Sequence, residues 1–292
     1  MKVSGFTIIR NGVYYDYPFI EAIKSVLPLC DEFVVNLGIT QDGTKEKLIE
    51  LNDSRLKIIE REWDMASSVM GSVLAVETNA ALKECSGDWC FYIQSDEVLH
   101  EQYLPVVKSM MENYLDKPEI EGLRFQYLHF YGNYDYIQDN YRKWYVKATR
   151  VIRNSPDIRS VGDAMEFGKP GGDMLNTKDI PAKIYHYGWV RPPESAIKKR
   201  IDFEKIYHDE KKAAEIAAKL QNYKELGDLV IFKGKHPAVM QERVKQNNWD
   251  FDAKLELQRP DWLRKILIFL HPVTKRIKRV FSPSGGNRDA SV

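Results

Sequence analysis

Carboxylates close the apolar run Phe91-Tyr92-Ile93-Gln94-Ser95-Asp96-Glu97. Hard divalent cations take oxygen ligands, and Mg²⁺ or Mn²⁺ usually binds one or two carboxylates while phosphates of a substrate fill other positions. An ion held there stabilises a departing diphosphate by neutralising its growing charge. The same residues also suit a solvated turn after a strand. A second acidic run, Ser160-Val161-Gly162-Asp163-Ala164-Met165-Glu166-Phe167, offers two more carboxylates. A carboxylate beside a hydroxyl can take its proton as the oxygen attacks. Asp163 is the first choice for that role and Glu166 the second. In a helical turn the two share a face, and in an extended segment they point apart. The basic residues Arg142, Lys143, Arg150 and Arg153 can meet phosphates, because a guanidinium fork matches their geometry. Lys147 reads instead as a solvated rung of an alternating strand.

The elements that must position these groups alternate through the first hundred residues. Phe6 to Ile9, Glu32 to Asn36, Leu56 to Ile59 and Trp89 to Ile93 are strand-like. Between them, Tyr17 to Leu29, Lys45 to Leu51 and Ser72 to Glu84 carry helical patterns, with Thr44 expected as an N-cap. This order predicts a mostly parallel sheet covered on both faces, with ligands at the carboxyl ends of its strands. Arg10-Asn11, Asn36 to Asp42 and Gln94 to Glu97 fall at those ends. From Gly122 to Tyr187 the pattern changes. Leu123 to Tyr127 and Tyr145 to Ile152 alternate like antiparallel strands around an aromatic loop, Tyr131 to Trp144. Pro193 to Tyr223 reads as a long charged helix. Pro260 to Phe281 is basic and amphipathic, with Trp262 and Leu263 beside Lys275, Arg276, Lys278 and Arg279, which suits a helix on anionic lipid or one docked on protein. The tail from residue 282 is small and polar and is expected to be disordered.

Composition narrows the class. The 292 residues can bury a substantial core without disulfides, and a net charge of +1 gives no field to attract nucleic acid. Cys30, Cys85 and Cys90 lack metal-ligand spacing and form no even framework, so buried free thiols in a reducing cytosol are expected. No signal peptide and no apolar run of about 20 residues is visible. The expected location is cytoplasmic, with peripheral contact at the inner face of the plasma membrane.

Asp31 to Thr44 followed by a helix, then Asn79-Ala80-Ala81-Leu82-Lys83, Ser86-Gly87-Asp88-Trp89 and Gln94-Ser95-Asp96-Glu97, occur in this order and at this spacing. Over about residues 4 to 110 this resembles the family 2 glycosyltransferases of the GT-A fold. His186-Tyr187-Gly188-Trp189 and His236-Pro237 resemble features of a bacterial subgroup akin to lipopolysaccharide-core and exopolysaccharide transferases. The resemblance implies an α/β fold of GT-A (Rossmann-like) type, a mostly parallel sheet with an antiparallel extension and C-terminal helices. It implies a hexosyltransferase-type enzyme that moves a sugar from a nucleotide diphosphate, UDP favoured, to a glycan or lipid-linked acceptor hydroxyl. Inversion and a divalent cation, Mn²⁺ or Mg²⁺, are implied with it, and no nucleic-acid partner.

By the same resemblance, Arg10, Asn11, Asn36, Asp42, Asn79, Gln94, Ser95, Asp96, Arg150 and Arg153 bind the nucleotide sugar. Asp96 and His186 hold the cation, and Asp163 or Glu166 is the base. Two positions depart from the family. Asn36 stands where an Asp usually meets the uracil, and Gln94 replaces the first Asp of Asp-x-Asp, leaving Asp96 at the position of the usual direct ligand. These departures suggest a rival, a non-catalytic sugar-nucleotide-binding relative. A nucleotidyltransferase, a second rival, would want a Gly-rich phosphate loop, and Arg10-Asn11-Gly12-Val13 has one Gly. The expected organisation is a core over residues 1–190, in which residues 1–110 bind the nucleotide and residues 111–190 face the acceptor. A helical extension over 191–259, the amphipathic helix over 260–281 and the tail over 282–292 follow.

Overall fold

The computed structural model describes residues 1–65, 71–138, 144–192, 195–196, 198–199, 201–202 and 229–251. Arg142, Lys143, most of the helix expected from 193 to 223, the amphipathic segment 260–281 and the tail lie outside the described residues.

The amino-terminal half builds a parallel unit. Its strands are β1 (Val3–Ile9), β2 (Glu32–Gly38), β3 (Leu56–Arg61) and β4 (Trp89–Tyr92). Helices α1 (Phe19–Val26), α2 (Thr44–Glu50) and α3 (Ser72–Leu82) connect them. Every residue of β1 is buried, which explains its unbroken Val-Ser-Gly-Phe-Thr-Ile-Ile run. On α1, Phe19, Ala22, Ile23 and Val26 recur at helical spacing, and all four are buried. The order across the sheet is β3-β2-β1-β4, so the chain reverses direction of travel at β1. The crevice between the carboxyl ends of β1 and β4 is therefore the topological switch point, the place where open parallel sheets bind ligands.

The second half extends this sheet. β5 (Glu97–Leu99) follows β4, and α4 (Leu104–Tyr114) leads to β6 (Gly122–Gly132). Then come β7 (Tyr136–Gln138), β8 (Lys147–Arg153), β9 (Arg159–Val161), β10 (Glu166–Gly168) and the long β11 (Thr177–Val190). β8 lies antiparallel to both β4 and β6, as the alternation of these segments predicts. β11 runs parallel to β6 and antiparallel to β5. β9 and β10 form a separate two-stranded hairpin. Within the span expected to be helical, β12 (Leu229–Ile231) pairs with β7, and α5 (Gln241–Lys245) follows it. The result is α/β, a mostly parallel sheet with an antiparallel extension.

Two local expectations are corrected. Thr44 is the first residue of α2 and not its cap. Gly43 holds the cap position at φ 88°, a left-handed conformation that favours glycine. Asp42 supplies the capping oxygen, accepting from Thr44 N at 3.1 Å. β2 also runs two residues past Asn36, to Gly38, so Asn36 is not the strand's end.

Candidate active site

The site grows from the exit of β4. The strand stops at Tyr92, and Gln94 to Asp96 turn the chain into β5. The Asp96 carbonyl accepts from Tyr187 N at 2.8 Å, which fixes the turn against β11. The Asp96 side chain is 13% exposed, and each of its oxygens has a separate neighbour. Oδ1 is 3.8 Å from His186 Nε2, and Oδ2 is 3.5 Å from the Lys199 ammonium. Lys199 also donates to Gly188 O at 2.8 Å and lies 4.5 Å from the centre of the Tyr17 ring. Arg191, buried at 1% exposure, donates to Gly188 O and, through Nη1, to Tyr15 O. Its Nε is buried without a partner among the described residues. The Lys199 ammonium thus sits against the Asp96 carboxylate, and the Arg191 guanidinium shares the Gly188 carbonyl with it. Burial works against the Asp96 charge, but His186 in its protonated form, Lys199 and Arg191 hold its carboxyl below the usual range. Burial and Arg191 bring Lys199 down to about 7, against the pull of Asp96.

Gly188 makes this meeting possible. A Cβ there would stand 2.6 Å from His186 Nε2 and 2.7 Å from Asp96 Oδ2, closer than side-chain atoms approach. The register of β11 on β6 slips between His186 and Trp189, so the close approach falls at an irregular stretch of strand. On the far side of His186, His129 Nδ1 is 3.0 Å from His186 Nδ1, and His129 Nε2 is 2.7 Å from Tyr145 O. Burial, and after it His186, push His129 down to about 3. Burial likewise lowers His186, against the pull of Asp96.

A hard cation fits this donor set. Asp96 offers oxygen, and His186 Nε2 faces it across a gap that a metal can share. The other positions of Mg²⁺ or Mn²⁺ would fall to ligand oxygens and water, as is common for these ions. Among the described residues, no group of three or more His, Cys, Asp or Glu side chains is arranged to cage an ion by itself.

The loops after β1 and β2 are locked together beside this centre. Asp42 accepts from Tyr14 N at 2.7 Å, Thr40 Oγ1 at 2.9 Å and Thr44 Oγ1 at 2.6 Å. Burial opposes its charge, but these donors hold its carboxyl below the usual value. Asn11 sits at φ 54°, with its Oδ1 2.7 Å from Thr40 Oγ1, whose one proton is shared between Asn11 and Asp42. Arg10 lies at the carboxyl end of β1 with its aliphatic stem over Gly38. Ser95 is half-buried on the β4–β5 turn. Gln94 Nε2 donates to Ala164 O at 3.2 Å, joining that turn to the β9–β10 turn that carries Asp163. Arg10, Asn11, Asp42, Gln94, Ser95 and Asp96 therefore belong to loops at one end of the sheet.

Four expected binding residues are engaged elsewhere. Asn36 is fully buried, and its Nδ2 donates to Glu77 O and Glu77 Oε2 under α3. Asn79 exchanges two hydrogen bonds with the backbone of Ser160, a tie between α3 and β9. Arg150 has no exposure and is committed to Glu97, with Nη1 on Thr149 O and Met165 O. Arg153 pairs with Trp89, at the amino end of β4, away from the ligand-binding ends. Its guanidinium takes the carbonyls of Tyr114, Leu115 and Lys117 where α4 ends. For Arg150 and Arg153 the phosphate contact is replaced by an internal partner that already satisfies the fork.

The two candidate bases also separate. Asp163 is half-buried on the turn between Gly162 at φ 63° and Ala164 at φ 64°. Glu166 begins β10 and accepts from Thr149 N at 3.2 Å. Sequence reading missed His129, Gly188, Arg191 and Lys199. Only Gly188 carried a local signal, as a glycine within an aromatic strand.

No family model matches the chain, and no curated protein matches it. Among solved structures, S. aureus TarS aligns at 17% identity and a TM-score of 0.40 over 76% of this chain and 43% of that one. TarS 1-349 in complex with UDP-GlcNAc aligns at 15% identity and a TM-score of 0.41, over 76% of this chain and 72% of that one. Mycobacterium tuberculosis glucosyl-3-phosphoglycerate synthase, with Mn²⁺, UDP-glucose and phosphoglyceric acid, aligns at 20% identity and a TM-score of 0.33. That alignment covers 43% of this chain and 44% of that one. The chain spans less than half the length of the full TarS chain it matches.

Proposed function

We propose that the chain is a glycosyltransferase of GT-A architecture that moves a sugar from a nucleotide diphosphate, with UDP favoured, to a hydroxyl of a glycan or lipid-linked acceptor. One observation carries this reading. At the β1/β4 switch point, Asp96 and His186 face one another beside Lys199 and Arg191, a seat for an anionic group with a cation. The motif order from Asp31 to Glu97 supplies the family, and His186-Tyr187-Gly188-Trp189 supports a place near the lipopolysaccharide and exopolysaccharide transferases. Transfer of a hexose and inversion come from that resemblance.

In this mechanism Lys199 faces the anionic diphosphate, Arg191 adds positive charge from behind it while its fork stays on the Tyr15 and Gly188 carbonyls, and Asp163 faces the acceptor. Asp163 takes the hydroxyl proton as the acceptor oxygen bonds to the anomeric carbon. The bond from that carbon to the diphosphate oxygen breaks, and the nucleoside diphosphate leaves with the electron pair. A divalent cation bound by Asp96 and His186 would neutralise charge on the leaving group. Gln94 orients the two halves of the site through Ala164 and needs no ligand role.

The non-catalytic alternative is favoured by Gln94, whose amide replaces a carboxylate ligand. Thermal shift with a panel of nucleoside diphosphates and their sugars, with and without Mn²⁺, tests binding. Release of UDP from a bound UDP-sugar tests turnover. Stabilisation with no turnover for any acceptor class favours the non-catalytic relative. No stabilisation by any nucleotide removes the reading altogether.

A further inference from the structure

His129 and His186 are direct neighbours on the parallel strands β6 and β11. Three contacts join them into a line. Tyr145 O lies 2.7 Å from His129 Nε2, the two Nδ1 atoms are 3.0 Å apart, and His186 Nε2 is 3.8 Å from Asp96 Oδ1. A carbonyl oxygen only accepts, so His129 Nε2 carries a proton. Two ring nitrogens at hydrogen-bond distance share one proton between them. A neutral His129 has already used its proton on Nε2, so the shared one sits on His186 Nδ1. Both rings are buried, at 4% and 8% exposure, where a second charge is disfavoured. His186 Nε2 then holds a lone pair, aimed at a carboxylate oxygen. Two electron-pair donors face each other with no hydrogen between them, an arrangement that a cation relieves. The His129 ring cannot turn away freely: it stacks on Tyr127 at 24° and meets Tyr145 edge-on.

We propose that His129 is a positioning residue that fixes the tautomer of His186, turning its Nε2 lone pair onto Asp96 to complete a nitrogen-and-oxygen seat for a hard divalent cation. Metal-bound histidines are usually held this way, by a partner on the other ring nitrogen. The Tyr145 carbonyl sets the state of His129, and His129 passes it on. The use of the seat in sugar transfer rests on the proposed function; the tautomer itself does not.

Imidazole ¹⁵N spectra of the full chain at neutral pH, without metal, test the relay. The expected spectrum shows His186 protonated at Nδ1 and bare at Nε2. Mn²⁺ affinity, read by electron paramagnetic resonance, should fall by about 10–100-fold in His129→Phe, which removes the acceptor. His129→Asn keeps an acceptor near the Nδ1 position and should recover most of that loss. A His186 protonated at Nε2 in the wild type overturns the proposal. So does unchanged Mn²⁺ affinity in His129→Phe, or absence of Mn²⁺ binding to the wild type. If His129→Phe does not fold, the wild-type spectrum and the Asn variant decide. A bare Nε2 with normal Mn²⁺ binding and no UDP-sugar turnover keeps the relay and removes the transferase.

Discussion

Glu97 and Arg150 form a two-bond ion pair with neither side chain exposed, Nε on Oε2 and Nη2 on Oε1, each at 2.8 Å. Tyr127 OH donates to the same carboxylate at 2.8 Å, and Gln94 N at 3.2 Å. Adjacent acidic residues therefore do different work: Glu97 holds the sheet together, while Asp96 faces the crevice.

The pair predicts an asymmetric stability effect. Arg150→Met leaves a buried carboxylate uncompensated and should cost about 3–5 kcal/mol in urea unfolding. Adding Glu97→Gln removes that charge while keeping an acceptor for Tyr127. The double variant should be more stable than Arg150→Met alone. A double variant that unfolds at lower urea than the single one would show that the charge is not what the site must balance.

Gly188→Ala predicts a local failure. The added methyl would occupy space 2.6 Å from His186 Nε2 and 2.7 Å from Asp96 Oδ2. The two side chains must part, and Mn²⁺-dependent UDP binding should weaken at least tenfold by calorimetry, the lower end of the loss seen when support of a metal ligand is removed. Thermal unfolding should move little, because the strain is confined to one strand irregularity. Wild-type affinity in this variant would dissociate the site from the Asp96–His186 approach.

These two relationships show what the sequence could and could not reveal. The β-α-β order and the run ending in Asp96 were legible because periodicity and strand-end carboxylates are local signals. Arg150 looked like a phosphate ligand because its partner is 53 positions away, visible only once β8 lies against β4. Asn36 looked like a strand end, yet β2 continues to Gly38 and α3 covers the amide. Lys199 stands in the basic stretch Lys198-Lys199-Arg200, which suits a solvated helix face, and nothing local marks the one that reaches Asp96. His129 alternates like any strand residue, and its role appears only with its neighbour on β11.

Acid should expose the contribution of Glu32. Burial opposes its charge, but hydrogen bonds from Ser4 and Ser86 and the nearby Lys2 bring its carboxyl down to about 2. An unfolded Glu titrates near 4.3. Because the folded value is depressed, this stabilisation is complete above that value and is lost as pH falls towards 2. Between pH 5 and pH 2, Glu32→Gln should lose less stability than the wild type, measured as the difference in urea midpoints. Parallel curves would assign the acid sensitivity to other carboxylates.

Membrane contact is a prediction from the basic amphipathic segment 260–281. A chain ending at Arg259 should keep nucleotide binding and lose flotation with anionic liposomes, and the full chain should float less at high salt. Equal flotation of both chains would place the lipid contact, if any, elsewhere.

Asp163 and Glu166 provide the sharpest test of the acceptor side. Glu166 is tied to the backbone of Thr149, so its carboxylate braces β10 against β8. Asp163 sits on a turn held to the β4 exit by Gln94, whose amide reaches Ala164 O. A general base contributes about 10²–10⁴-fold to rate. Asp163→Asn keeps the shape of the side chain and should lower kcat by that order with donor affinity nearly intact. Glu166→Gln still offers one acceptor to Thr149 N and should change kcat far less, with a modest fall in thermal stability. Reversal of that order would assign the base to Glu166 and require β10 to release it from Thr149. Wild-type kcat in both variants would remove the base from this hairpin, while leaving the donor site at Asp96 and Lys199 untouched.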